Sequence, residues 1–374
     1  MNNKKSIWFW QKMVTPHMVA LASALAELGH DVNYVANEIL SEKRIKQGWV
    51  KPNLGKLKLL LAPDKEKIIQ YALSASNDSI HFCQGLRGNG LVKYAQIIIR
   101  NRRLQHWVMM ENIDDEGLIG FVKKIIYRII ILKWRSHLAG ILAIGNSASS
   151  WFAKRGMYKS RILPFAYFLK EPDTKYLLEQ NPRNNKNRPF RFIFVGQLIK
   201  LKRVDHLLKG LKDLKNKNIE LWIVGDGPEK KRLEALANFL LPKKVRWLGV
   251  LSINKIPDVL SQVDCLVLPS RYDGWGAVVT ESLMVGTPVI CSNKCGSSII
   301  VQASKVGYVF PANNIAALSS HLNNQYIEGP VSIKERQKII SWGKNLGANS
   351  GAKYLETIIN TKQDKLLTIK LPWN

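Results

Sequence analysis

Cysteine is scarce in this sequence, acids are few, and no apolar run is long. The four cysteines, Cys83, Cys265, Cys291 and Cys295, are too few for a disulfide-stapled fold. They read as reduced, largely buried thiols of a cytosolic protein. Cys291 and Cys295 stand four apart, but no second Cys/His pair follows at zinc-ligand spacing, so no metal site is expected. No stretch reaches the roughly 18 consecutive apolar residues of a membrane-spanning helix. The opening residues, Met1 to Trp10, hold two lysines and a short apolar run that is too brief for a secretory leader and reads as a first strand. Only 28 acids face 56 lysines and arginines, a formal net charge of +28. That sign attracts polyanions: nucleic acid, anionic lipid surfaces or phosphorylated small molecules. Zinc-finger spacing, a basic zipper and an arginine–glycine tract are all missing, which argues against a specific nucleic-acid partner.

What is present is an alternation of short apolar runs and helical periodicity. At 374 residues, 46% of them hydrophobic, the chain has room for about two domains. In residues 1–170, strand candidates at Ser6–Trp10, Asp31–Ala36, Leu57–Ala62, Ile80–Cys83, Gln105–Met110 and Ile141–Ile144 are interleaved with helical stretches. Among these stretches are His17–Leu28, Leu91–Arg103 and Leu118–Leu138. Residues 171–189 are polar and read as a linker. The alternation restarts in residues 190–345, with strands at Phe190–Val195, Glu220–Val224, Val245–Leu248, Cys265–Leu268 and Pro288–Cys291. Alternation of this kind predicts α/β architecture with parallel, doubly wound sheets. Two Rossmann-like halves facing across a cleft would bind ligands at the carboxyl ends of their strands. Residues 346–374 begin with a last helical stretch, Ser350–Ile359, that can pack back on the first domain.

Two strand ends are marked by glycine, at Gly196 and at Gly225-Asp226-Gly227-Pro228. Gly196 is followed by Gln197 and then by Lys200, Lys202 and Arg203, cations placed just before a helix. With the free N–H groups of that helix start they make a candidate diphosphate cradle, or else a solvated basic loop. The segment Pro269–Ile290 carries Asp273, Gly274, Trp275 and Gly276 in a loop, then Ala277, Val278 and Glu281 on a helix. Free amides around Gly276–Val279 suit a phosphate, and a carboxylate such as Glu281 can accept two hydrogen bonds from a ribose diol. The bland alternative is a capping Asp273 and a surface Glu281.

This segment resembles the signature of glycosyltransferase family 4, enzymes of the GT-B fold. Asp273 and Glu281 match its two acids, separated by seven residues, with Gly274-Trp275-Gly276 between them and Gly286-Thr287-Pro288-Val289-Ile290 at the end. Val195-Gly196-Gln197-Leu198 with Lys202, then Val224–Pro228 and Trp247-Leu248-Gly249, extend the resemblance over the second domain. It implies that Lys202 binds the donor diphosphate, that Glu281 binds the ribose, and that Asp273 grips the transferred sugar. Backbone groups near Val250 would touch the base, with no metal or other cofactor required. The sequence departs from the pattern at Asp273, where glutamate is usual, at Gln197, where arginine is common, and at Arg203, where glycine is usual.

The first domain is less marked. Thr15 and His17 follow the first strand and are candidates for the acceptor cleft, although His17 can equally just start the helix. Glu111 stands near where many relatives carry histidine. It is a candidate to position the acceptor or act as a base, against the alternative of a capping, solvated acidic loop. Phe121–Leu138 contains Lys123, Lys124, Arg128, Lys133 and Arg135 and no acid. It reads as a basic, imperfectly amphipathic helix suited to an anionic membrane surface. The resemblance implies a retaining, metal-independent glycosyltransferase of hexosyltransferase type, moving sugar from a nucleotide-sugar donor. The acceptor would be a glycan or lipid-linked oligosaccharide of bacterial capsule or lipopolysaccharide. The enzyme would be cytoplasmic and peripheral on the inner face of the membrane. The alternatives are a non-catalytic polyanion-binding protein and a sugar phosphorylase of similar fold.

Overall fold

The computed structural model describes residues 4–174 and 188–374. Most of the expected linker, 171–189, lies outside the described residues. Among these residues the chain forms two parallel sheets. The first contains β1 (Ser6–Met13), β2 (Asp31–Glu38), β3 (Lys58–Leu61), β4 (Ile80–Gln84), β5 (Gln105–Glu111), β6 (Gly140–Ile144) and β7 (Ile162–Phe165), in the order β3-β2-β1-β4-β5-β6-β7. The second contains β8 (Phe190–Val195), β9 (Ile219–Val224), β10 (Val245–Gly249), β11 (Cys265–Leu268), β12 (Val289–Ser292) and β13 (Gly307–Phe310), in the order β10-β9-β8-β11-β12-β13. The order reverses direction beside β1 and again beside β8, so each sheet has a switch-point crevice at its strand ends.

The crossover helices of the first sheet are α1 (Pro16–Glu27), the one-turn α2 (Glu42–Ile45), α3 (Lys65–Ser74), α4 (Val92–Asn101), α5 (Gly117–Trp134) and α6 (Ala148–Lys154). Those of the second are α7 (Val204–Gly210), α8 (Lys230–Leu240), α9 (Ile256–Ser261), α10 (Ala277–Met284), α11 (Ser298–Ser304), α12 (Ile315–Glu328) and α13 (Ile333–Gly343), and α14 (Ala348–Asn360) closes the chain's helices. Local chemistry explains the ends. Pro16 opens α1 at a position where its missing N–H costs nothing. Ser332 and Glu335 form a reciprocal capping box on α13.

The central strands β1, β6, β11 and β12 are buried along nearly their whole length, as expected for parallel strands covered on both faces. All four cysteines are buried and unpaired. The short edge strands β7 and β13 carry little periodicity and were not anticipated. Helix α14 lies against α1, where Glu356 approaches His30 at 3.2 Å. The Tyr354 hydroxyl donates to the Pro164 carbonyl at 3.0 Å, and the Phe168, Tyr354 and Trp373 rings pack together. The chain's last helix is thus bonded to the first sheet.

Helix α5 was expected to be basic and imperfectly amphipathic. Only Gly120, Tyr127 and Ile131 in it are buried. Leu118, Ile119, Phe121, Val122, Ile125, Ile126, Ile129 and Leu132 are exposed, Leu118 to 91%. The outward surface is therefore apolar as well as basic.

Candidate functional site

The site is built from the carboxyl ends of β8 and β11. After β8 the chain makes one tight turn, Lys200–Lys202, before α7. Arg203 joins turn to helix with φ +53°, a left-handed conformation in which glycine is at ease and a side chain is strained. The backbone N–H of Arg271 donates to the Leu201 carbonyl at 2.9 Å, tying this turn to the loop after β11. That loop is pinned in its own right, because the Asp273 N–H donates to Lys294 O at 3.1 Å and Asp273 O accepts from Gly296 N at 2.9 Å. The result is a largely buried ion pair, Lys202 Nζ to Asp273 Oδ2 at 2.5 Å.

Two glycines make the loop possible. Gly276 caps α10 at φ +83°, and a Cβ there would come within 2.8 Å of Leu268. Gly274 leaves room for the Glu111 carboxylate, which comes from the other domain and would lie 1.7 Å from any Cβ at that position. Asp273, Lys202 and Glu111 thus converge although they come from three strand ends.

A cavity of about 380 Å³ opens beside them, and Gly196, Gln197, Lys202, Val250, Ala277 and Glu281 all line it. Helix α10 presents its amino end here, where free N–H groups and the helix dipole favour an anion. Burial raises the Glu281 carboxyl to about 7. A ligand that donated hydrogen bonds to it would offset that desolvation.

Sequence reasoning missed the opposite wall. Arg44, Lys46, Gln47 and Trp49, from α2 and the residues after it, face the same cavity. This segment is fastened across the cleft by a hydrogen bond from Ile253 N to Gly48 O at 2.9 Å. The Arg44 guanidinium lies 4.5 Å from the centre of the Trp49 ring and donates to Gln47 at 3.1 Å. Only its basic character was visible in the sequence, since the segment has no motif and its place depends on how the domains close.

On the other flank Tyr167 donates to Glu111 Oε1 at 2.7 Å, and its ring stacks on His17 at 4.1 Å between centroids. Burial is the main cause of a raised Glu111 carboxyl, with Asp273 adding to it against the Tyr167 hydrogen bond. Burial and the nearby Arg44 charge lower His17 to about 3, so the ring is neutral at ordinary pH. Tyr167 follows the short β7 and gave no sequence signal.

Other expected residues sit apart. Arg203 is not on the cavity wall; its guanidinium is turned to His206 and to Asp205, 3.6 Å away. The Trp275 indole is buried in the core and donates to Thr280 at 3.1 Å. Val278 is likewise buried, so only its backbone can serve the cavity. Thr15 is buried, with its N–H donating to the Tyr34 hydroxyl at 3.3 Å. Among the described residues no group of three or more His, Cys, Asp or Glu side chains is arranged to hold a metal ion.

Residues 178–346, a little under half of the chain, match the family model described as Glycosyl transferases group 1. An uncharacterized glycosyltransferase of Methanocaldococcus jannaschii is 32% identical over 124 residues, which cover 32% of this chain and only 32% of that protein's length. The apo structure of the lipopolysaccharide outer core galactosyltransferase WaaB aligns with a TM-score of 0.67 at 16% identity, over 95% of this chain and 99% of its own. Anabaena HepE in complex with UDP-glucose aligns with a TM-score of 0.71 at 14% identity, over 96% of this chain and 100% of its own. At such identities the two structures speak for fold alone. With the two facing parallel sheets, they define the architecture of this chain as GT-B.

Proposed function

We propose that this protein is a retaining, metal-independent glycosyltransferase of hexosyltransferase type. It moves a sugar from a nucleoside-diphosphate sugar to a hydroxyl of a glycan or lipid-linked oligosaccharide in bacterial surface polysaccharide synthesis. The observation that carries the reading is the Lys202–Asp273 pair at the edge of a cavity whose wall includes Glu281 and the amino end of α10. The group 1 match over the second domain supports it, and of the two fold neighbours WaaB is a lipopolysaccharide outer core galactosyltransferase and HepE holds UDP-glucose.

In this reading the diphosphate lies between Lys202 and the amides of Gly276, Ala277 and Val278, with Arg44 facing it from the first domain. As the nucleoside diphosphate departs, charge grows on its terminal phosphate oxygens. The helix amides are already aimed there, and Lys202, once donor binding has turned it from Asp273 to the phosphate, need not reorganise as the bond breaks. Glu281 accepts from the ribose hydroxyls, and backbone near Val250 meets the base. Asp273 receives hydroxyls of the transferred sugar when Lys202 turns to phosphate. Glu111, held by Tyr167, orients the acceptor hydroxyl or takes its proton. Domain closure over the donor excludes water.

The protein would work at the cytoplasmic face of the membrane, on anionic lipid. Leu118, Val122, Ile125, Ile129 and Leu132 repeat at intervals of four and three, so they form one stripe along α5. All five are exposed, and Arg128 and Lys133 flank the stripe. An apolar stripe edged by cations is what an in-plane helix presents to an anionic bilayer. The L118E/F121E double variant is expected to abolish flotation with vesicles containing phosphatidylglycerol, while wild type floats with these and not with neutral vesicles. Equal flotation of both proteins would refute the surface.

A panel of UDP-, GDP- and ADP-sugars tests the function itself, read by thermal stabilisation and slow donor hydrolysis. At least one donor is expected to give both. No response to any donor, with tight binding of nucleic acid instead, would favour the polyanion-binding alternative to which the +28 charge points.

A further inference from the structure

A second cavity, of about 590 Å³, lies beyond the Glu111–Asn112 strand end, between α5 and α6, with Tyr272 and Lys294 of the second domain on its wall. Its charges are of two kinds. Each acid on the wall has a cation: Asp115 has Arg155, Glu116 has Lys294 at 2.8 Å, and Asp114 has Arg271 at 3.5 Å. Lys124, Arg128 and Lys154 also line the cavity, and among the described residues none of the three has an ion-pair partner. The wall therefore carries an uncompensated positive charge, which an anion would neutralise.

Its position adds two constraints. Ile125 belongs both to the cavity wall and to the exposed apolar stripe of α5, so the cavity opens onto an apolar surface. Tyr272 and Asn112 line the cavity, and their chain neighbours are Asp273 and Glu111. The Tyr272 hydroxyl donates to the Asn112 carbonyl, so the cavity wall on the side of Asp273 and Glu111 is a direct cross-domain contact. An occupant would thus be anionic at its head, apolar at its tail, and adjacent to the groups that grip the transferred sugar.

We propose that this cavity seats the acceptor and that the acceptor is a phosphate-bearing amphiphile. Its phosphate is held by Lys124, Arg128 and Lys154, and its apolar chain runs out past Ile125 along α5. The inference rests on the transferase reading for the word acceptor; the phosphate site itself does not.

The test uses the full chain and three soluble probes below their micellar concentrations: dodecyl phosphate, inorganic pyrophosphate and dodecyl maltoside. Calorimetry gives affinities for wild type, for R128A/K154A, and for Ser150→Trp, which narrows the cavity from the α6 side and leaves the sequence of α5 unchanged. Wild type is expected to bind dodecyl phosphate at least tenfold more tightly than dodecyl maltoside. Both variants are expected to lose at least tenfold for dodecyl phosphate while keeping their UDP affinity. Undiminished binding by Ser150→Trp would place the probe on the face of α5 and overturn the cavity. Dodecyl maltoside binding as tightly as dodecyl phosphate would remove the phosphate argument. Pyrophosphate binding as tightly as dodecyl phosphate would overturn the lipid part. UDP, measured on the same preparations, isolates the donor reading: loss of UDP binding alone refutes that reading and leaves the phosphate site standing.

Discussion

The two cavities hold their principal cations in different ways. Around the smaller one the key cation is tied: Lys202 is paired with Asp273, and its turn is bonded to the next loop through Leu201 and Arg271. Around the larger one Lys124, Arg128 and Lys154 are exposed and carry no ion pair among the described residues. Fixed charge suits a step in which a bond breaks, because oriented groups stabilise new charge without first paying to reorganise. Loose charge suits a ligand that has only to be seated, where long flexible side chains adapt to an anion. The difference fits the proposed roles, with chemistry at the smaller cavity and recruitment at the larger.

The largest effect should follow removal of the tied cation. Lys202→Ala is expected to lower turnover of the preferred nucleotide sugar by roughly 10²–10³, the usual loss when one preorganised group facing developing charge is removed. Its melting temperature should fall modestly, because Asp273 loses its partner but keeps some contact with solvent at the cavity edge. A turnover loss below tenfold would break the comparison. Arg44→Ala comes next. A hydrogen bond to a charged group contributes about 1.5–3 kcal/mol, so KM for the nucleotide sugar should rise by roughly tenfold or more. An unchanged KM would mean that the first domain closes over the donor without gripping it.

A pH profile gives an effect of similar size. Free Glu281 titrates at about 7 because it is buried. In the proposed donor site the ribose hydroxyls would donate to its ionised form, so donor binding would release a proton wherever the free group is protonated. Affinity must then fall as pH drops below 7 and level off above it, by about tenfold between pH 8 and pH 6. A nucleotide sugar is the right probe, because its diphosphate diester does not titrate in this window. Glu281→Gln should flatten the profile; a slope that survives in this variant would assign the proton elsewhere.

The sequence was most readable where backbone requirements govern. The glycines and the acids of Asp273–Glu281 mark a strand end, a left-handed cap and a helix start, all local. Strands β8 and β11 also run over the expected residues; β11 is a fully buried, continuous apolar run, and β8 is apolar but for Arg191. Arg44, Trp49 and Tyr167 could not be found that way, because their meeting depends on domain closure and on an edge strand of four residues. Helix α5 was legible in composition but not in orientation. Its apolar residues nearly surround the axis, and periodicity alone cannot say which of them the sheet will cover.

The smallest expected effect bears on Arg203, which stands where a glycine would fit the backbone and a cation would fit the phosphate. Its left-handed φ of +53° is a strain of about 1–2 kcal/mol for a residue with a side chain. Arg203→Gly relieves that strain but loses the partly exposed pair with Asp205, a contribution of about 0–1 kcal/mol, and gives up some backbone entropy in the unfolded chain. The terms nearly cancel, so the unfolding free energy from urea titration should change by less than about 1 kcal/mol, upward if at all. Because the guanidinium is turned to Asp205 and His206 and not to the cavity, donor affinity should stay within twofold. A tenfold loss would show that Arg203 swings in when the donor binds. The smaller cavity would then recruit charge from its surroundings, and the contrast between tied and loose cations would no longer separate the two sites.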